Sequence, residues 1–151
     1  MSATGLDVFD TTLQKTHIWL DEIMGELECG RKHAWHVLGA VLRTIRDRIP
    51  LELGAHLGAQ LPLLVRGAYY DQFQPGTVPV PMRGWDEFLA LAIVGMIDLD
   101  PPIPPALAAE AVFAVISRHV SPGQVKNVQL ALPEAVREHW LAAERVPEAL
   151  T

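Results

Sequence analysis

The chain has 151 residues, half of them hydrophobic and a fifth charged, with a formal net charge of −6 at pH 7. This length suits one domain with a buried core, and the negative balance argues against a surface that binds nucleic-acid phosphates. The lone cysteine, Cys29, excludes an internal disulfide. The first ten residues lack the pattern of a signal peptide, and no uncharged run approaches the ~20 residues that span a bilayer. We therefore expect a cytoplasmic protein without a membrane segment.

Apolar periodicity predicts helices along the whole chain. The first helix places its apolar residues at alternating steps of three and four: Phe9, Leu13, Thr16, Leu20, Ile23 and Leu27. A second helix ends at Pro50, and a third runs through Pro62 to Tyr70. After a proline-rich connection, the remaining helices are predicted at about 85–98, 107–120, 121–132 and 133–140. No segment alternates with a period of two, so we predict an all-α fold.

An internal repeat is visible at an offset of 71 residues. Leu61-Pro62 aligns with Leu132-Pro133, and an offset of 70 aligns the first helix with the fourth. Because one three-helix unit would leave its apolar stripe uncovered, two units should share a single core. We predict one domain over residues 1–151, a compact bundle of about six or seven helices built from two duplicated three-helix halves with pseudo-twofold symmetry. The parts are the halves at 7–70 and 85–141, the connection at 71–84 and a short tail at 142–151.

Each half contains a helix that runs into Leu-Pro, where a new helical segment can begin because that position needs no N–H donor. Arg66 and Arg137 follow at matching places. We expect their guanidinium groups to pair with carboxylates or carbonyls at the junction between the halves, or alternatively to bind an anion. Tyr69 is predicted to close the core with its hydroxyl in water. Together with Arg66 and Tyr70, it is a candidate contact for an anion or a small ligand.

Three stretches carry a resemblance to a known family: FDTTLQKTHIWLDEIM, VLRTIRDRIPLELGAHLGAQLPLLVRGAYYDQF and ISRHVSPGQVKNVQLALPEAVREHW. They resemble the bacterial domain of unknown function 2267 family over about residues 7–141, and AHLGAQLP and RGAYY are the most specific strings. The resemblance implies a compact all-helical domain with no established activity, cofactor or catalytic residue. The middle of the chain, FLALAIVGMIDLDPPIPPALAA, departs from the family's usual pattern because it carries so little charge.

Chemistry-bearing residues are sparse. Cys29, His33 and His36 have a spacing that would suit part of a metal site, but Gly30 is expected to break the helix beside Cys29 and no further ligand is evident. We therefore expect no tightly bound metal, no cofactor and no catalytic constellation, and so no enzyme. The one locally basic run, RTIRDR at 43–48, is interpreted as a solvated helix face.

The fourth helix suggests an interaction surface. At the offset of 70, the inward stripe of the first helix corresponds to Ala90, Ile93 and Ile97, which we expect to be buried. The charged outward positions of the first helix correspond to the apolar residues Leu91, Ala92 and Met96 of the fourth. A helix that is apolar all round needs a cover on every side. We predict that a second chain covers this face, most simply in a homodimer.

Alternatively, the connection could fold over that face, with Val78, Val80 and Met82 as a lid. The function hypothesis is a non-catalytic interaction domain that self-associates or binds a protein partner. The second hypothesis is a small-molecule or metal-binding protein that uses the space between the two halves. Neither hypothesis involves nucleic acid or a membrane.

Overall fold

The computed structural model describes residues 2–145, and within this range the chain is helical without a β-strand, which confirms the all-α prediction. The α-helices are α1 (Asp7–Leu27), α2 (Arg31–Arg48), α3 (Leu51–Ala59), α4 (Leu63–Tyr70), α5 (Trp85–Ile93), α6 (Pro105–His119), α7 (Pro122–Ala131) and α8 (Glu134–Glu144). Two short 3₁₀ turns, Pro75–Thr77 and Val94–Met96, lie before and after α5. No helix in the described range is long and apolar enough to cross a bilayer.

The described residues form eight α-helices, because Leu61-Pro62, like Leu132-Pro133, separates two helices instead of bending one. Pro62 precedes α4 with φ −56° and ψ 149°, and Pro133 precedes α8 with φ −54° and ψ 147°. This extended backbone ends the preceding helix and starts the next one in a new direction, so the prediction of six or seven helices, three to a half, was too low. The last helix also continues beyond the predicted end near Trp140, to Glu144. Residues 146–151 of the predicted tail lie outside the described part of the chain.

The core is built around α2 and α6, which contact each other and are both covered by α1. The two helices bury side chains on several faces, including Leu38, Val41 and Ile45 of α2 and Val112 and Ile116 of α6. A helix buried on most of its circumference must be surrounded by other elements. The shorter helices supply this cover, with α4 and α5 against α2 and α8 against α6.

An ion-pair cluster joins α1 to α6 at the protein surface. The Arg118 guanidinium contacts a carboxylate oxygen of Glu22 at 2.7 Å and one of Glu26 at 2.6 Å. His119 Nε2 lies 2.7 Å from the other Glu22 oxygen, and its ring stacks on Trp19. Two charged outward positions of the first helix, Glu22 and Glu26, therefore attach it to α6 in the second half of the chain.

The N-terminal part of α1 does not follow its predicted buried stripe. Phe9 and Leu13 are exposed, whereas Thr12 is buried. The Thr12 hydroxyl accepts a hydrogen bond from the Leu64 N–H at 3.1 Å, a donor in the first turn of α4 that has no partner within its own helix. Thr12 therefore faces inward, where it satisfies this N–H, and the apolar residues Phe9 and Leu13 lie at the surface.

Arg66 and Arg137 cap matching helix ends. Arg66 donates to the carbonyls of Gly58, Ala59 and Leu61 at 2.9, 3.2 and 3.0 Å. Arg137 donates to the carbonyls 71 residues later in each case, at 3.0, 3.4 and 3.1 Å, which belong to Gln129, Leu130 and Leu132. Of the predicted roles, capping of carbonyls is the one observed, although it lies within each half. The matched bonds agree with a duplication, which itself stays a prediction.

We predict that Arg66→Met and Arg137→Met each lower the free energy of unfolding by about 1.5–3 kcal/mol. Each change removes a charged donor from carbonyls at a helix end while keeping an aliphatic stem, so the two losses should be similar. Urea unfolding followed by circular dichroism measures them. Arg83→Met is the control, since Arg83 is exposed and its guanidinium makes no hydrogen bond within residues 2–145. A loss at only one of the two sites would contradict the matched roles.

Candidate functional site

The buried face of α5 differs from the predicted one. Phe88, Ala92 and Met96 point into the core at steps of four residues. The residues expected to be inward, Ala90, Ile93 and Ile97, are exposed. Of the predicted interface residues, Ala92 and Met96 are therefore wrong, and only Leu91 lies at the surface. Each residue turns a helix by about 100°, so a small error in aligning the two halves exchanges its faces.

Exposed apolar side chains nevertheless follow one another closely in sequence along α5 and the turn after it. We call these residues the α5 face, and their exposed fractions are 43% for Leu91, 43% for Ile93, 69% for Val94 and 76% for Ile97. No charged side chain interrupts the sequence from Phe88 to Ile97. The sequence analysis did not predict that Ile93, Val94 and Ile97 lie at the surface. The uncharged run from Phe88 to Ile97 was the signal that could have indicated an apolar surface here.

The proline-rich connection packs beside α2 and does not cover the α5 face. The Val80 N–H donates to the Asp47 carbonyl at 2.6 Å, and Arg48 Nε donates to the Met82 carbonyl at 3.1 Å. Met82 is buried and Val78 is half-buried. The three lid residues therefore anchor the connection, while most of the α5 face stays open.

A second apolar surface lies where the start of α1 meets α4. Its exposed members are Leu6, Val8, Phe9, Leu13, Leu63 and Leu64. Unlike the α5 face, it is bordered by acidic residues of the first turn of α1, Asp7 and Asp10. The bundle thus offers two separate apolar surfaces.

The basic run at 43–48 is not a solvated face. Arg46 is buried and donates to the carbonyls of Tyr69 and Asp71 at 2.7 and 2.9 Å, so it caps the end of α4. Arg43 is half-buried and donates to the Ala68 carbonyl at 3.0 Å. Both arginines line a groove of about 750 Å³ between α2, the connection and the α5 face. Sequence reasoning missed this groove, although Arg43 differs from its counterpart at the offset of 71, Ala114.

The predicted ligand contacts Arg66, Tyr69 and Tyr70 instead make hydrogen bonds and packing contacts within the fold. Tyr69 is fully buried, and its hydroxyl donates to the Gly54 carbonyl at 2.7 Å, so the expectation of a hydroxyl in water was wrong. Burial raises the pKa of Tyr69, and the neighbouring Tyr70 adds to the increase. The Tyr70 ring packs over Gly58, where a Cβ would lie 2.6 Å from its hydroxyl oxygen. These residues close the end of the first half around α3.

The metal candidates do not assemble into a site. Within residues 2–145, no three His, Cys, Asp or Glu side chains are placed to hold a metal ion. Cys29 lies in the loop between α1 and α2, and burial raises the pKa of its thiol, which opposes the thiolate that a metal requires. His33 is half-buried, and its Nε2 has no hydrogen-bond partner among the described residues, whereas His36 is exposed.

We predict that the free energy of unfolding falls as the pH rises above about 10. In the unfolded chain Tyr69 loses its proton near that pH, whereas the raised pKa in the folded chain keeps it protonated. Above pH about 10 the unfolded state therefore binds fewer protons than the folded state. The contribution of Tyr69 to the free energy of unfolding is full below this pH and is lost as the pH rises above it. Urea unfolding between neutral and alkaline pH tests this. Tyr69→Phe should weaken the alkaline loss, and Tyr70→Phe is the control that should retain it.

The comparisons with known proteins concern the family alone. No curated protein matches the chain in sequence. A model of a family described as an uncharacterized conserved protein matches residues 16–139, most of the chain. This match covers α2 to α7 completely and parts of α1 and α8. The chain therefore belongs to the domain of unknown function 2267 family, as its sequence resemblance predicted.

Proposed function

We propose that this protein is a non-catalytic interaction domain that forms a symmetric homodimer through the α5 face. The observation that carries the proposal is the exposure of Leu91, Ile93, Val94 and Ile97 on one uncharged stretch of chain. Apolar residues scattered singly on a surface are ordinary, but a contiguous group is typical of an interaction site.

The geometry of the α5 face favours a second copy of the chain. A twofold contact uses the same surface on both partners, so it needs one apolar face and no complementary charge. The uncharged α5 face meets this requirement. The surface at the start of α1 meets it less well, because Asp7 and Asp10 would repel their copies across a twofold axis.

The size of the face sets the expected strength. Four apolar side chains and their neighbours form a small contact, near the lower limit of about 1,000 Å² for a stable interface. We therefore expect a dissociation constant on the order of micromolar.

The second hypothesis, a ligand or metal in the space between the halves, has less support. Large side chains such as Leu38, Ile45, Phe113 and Ile116 fill the region between α2 and α6. Tyr69, a candidate contact for such a ligand, is itself buried.

The test of the proposal is the double variant Ile93→Glu and Ile97→Glu. Both side chains are exposed, so a monomer tolerates the charges, whereas an apolar dimer contact does not. Light scattering should give twice the 16.6 kDa chain mass for the wild type at high micromolar concentration and one chain mass for the variant. Circular dichroism should be unchanged.

The matched control is Leu107→Glu and Leu130→Glu, which adds the same charge at two exposed positions of α6 and α7 and should leave the mass unaltered. A wild type that is monomeric at high micromolar concentration contradicts the proposal. So does a dimer that survives the α5 variant but separates in Val8→Glu and Phe9→Glu, because that result places the contact on α1. Substituting Met96 would be uninformative, since its side chain is buried.

A further inference from the structure

The groove beside α2 combines a polar end with an apolar wall. Its volume is about 750 Å³, within the range of small-molecule sites. We call its charged lining residues, Arg43, Arg46, Asp47 and Asp71, the polar end, and uncharged polar side chains also line the groove: Thr44, Gln72, Gln74 and Thr77. The apolar wall consists of Ala40, Val80, Leu91 and Val94.

The Arg43 guanidinium has donors to spare. Arg46 donates from Nη1 to the Tyr69 and Asp71 carbonyls at 2.7 and 2.9 Å and from Nε to Asp47 at 2.8 Å, so three hydrogen bonds already hold its guanidinium. Arg43, in contrast, donates only to the Ala68 carbonyl within the described residues. Burial lowers the pKa of Arg43, because desolvation disfavours its charged form, although the nearby Asp71 opposes this. A guanidinium that is partly desolvated and incompletely hydrogen-bonded can gain from an incoming anion.

Two glycines leave the space in which this guanidinium lies. A Cβ at Gly39 would be 2.7 Å from Arg43 Nη1. A Cβ at Gly95 would be 2.7 Å from the Ala40 Cβ and 3.5 Å from Arg43 Nη2. Any other residue at these places would displace the side chain or separate α2 from the 3₁₀ turn. The local backbone thus accommodates an arginine that faces the groove.

The corresponding position in the second half indicates that helix packing does not require this arginine. At the offset of 71 residues, Arg43 corresponds to Ala114, which lies on α6. Asp47 corresponds to Arg118, which is engaged with Glu22 and Glu26. The first half therefore has a guanidinium in this groove, whereas the second half has an alanine at the corresponding position.

Charge and shape together define the ligand. The two arginines and two aspartates of the polar end sum to zero, and Arg46 is already bonded to Asp47. A dianion such as phosphate would be repelled by two carboxylates, whereas a single carboxylate needs only the free donors of Arg43. The apolar wall favours an attached hydrocarbon group.

We propose that this groove binds a monocarboxylate with an apolar chain, the carboxylate on Arg43 and the chain against Val80, Leu91 and Val94. Such a site is distinct from self-association, although it shares Leu91 and Val94 with the α5 face. Binding is therefore measured both in the wild type and in the Ile93→Glu and Ile97→Glu variant. Failure of dimer formation then leaves the test of the groove intact.

The probe is octanoate, measured by isothermal titration calorimetry. Octanoate should bind, and Arg43→Leu should weaken its affinity at least about tenfold, since a charged hydrogen-bonded contact is lost. Octanol, which lacks the charge, and inorganic phosphate, which lacks the chain, should bind at least about tenfold more weakly than octanoate. Arg83→Leu removes an exposed arginine outside the groove and should leave the affinity unchanged.

A second variant keeps the proposal testable if Arg43→Leu perturbs folding. Val94→Asp changes a largely exposed side chain and adds a negative charge to the apolar wall, so it should also reduce octanoate binding at least about tenfold with unaltered circular dichroism. The absence of octanoate binding up to about 10 mM would overturn the proposal, as would binding that Arg43→Leu and Val94→Asp leave intact. Tighter binding of phosphate than of octanoate would overturn the assigned ligand class.

Discussion

The burial of α2 and α6 at the centre of the bundle is the constraint on which the rest of the structure depends. Ala34, Val37 and Leu38 of α2 and Val112, Phe113 and Val115 of α6 have no appreciable exposure. Helices buried on so much of their circumference need neighbours on nearly every side. Six further α-helices in the described chain provide them. What the covering helices leave outside is then available for function.

Short covering helices create a second requirement, which arginines meet. The helices α3 and α4 have nine and eight residues, too short to be stable in isolation, and their last carbonyls lack partners within the helix. Arg66 supplies donors at the end of α3, and Arg46 supplies them at the end of α4. Arg137 does the same for α7. Arginines that the sequence alone would place at the surface therefore stabilise the ends of the short helices.

Differences between the two halves concentrate around α2 and α5. The two halves have similar capping arginines and Leu-Pro junctions. In contrast, Arg43 in the first half and Ala114 in the second differ completely in charge and size. The α5 helix lacks the acidic residues that join α1 to Arg118 and His119. As a result, the half that begins with α1 is attached through ion pairs, while α5 presents apolar side chains to the solvent. The proposed dimer contact and the proposed carboxylate groove both lie where the two halves differ.

The sequence by itself determined the helical fold class, the new helical segments at Pro62 and Pro133 and the family, and it included the capping of carbonyls among the roles expected of Arg66 and Arg137. These features depend on local chemistry: residue periodicity, the missing N–H of proline and donors placed a few residues from a helix end. Only the tertiary structure decided which side of α5 is buried, because no charge after Glu87 marks a wet face until Asp98. It also decided the burial of Tyr69 and the inward turn of Thr12, since each answers a hydrogen-bonding group on another helix, the Gly54 carbonyl and the Leu64 N–H. These hydrogen-bonding partners lie far away in the sequence, and only the packing of the helices brings them within bonding distance.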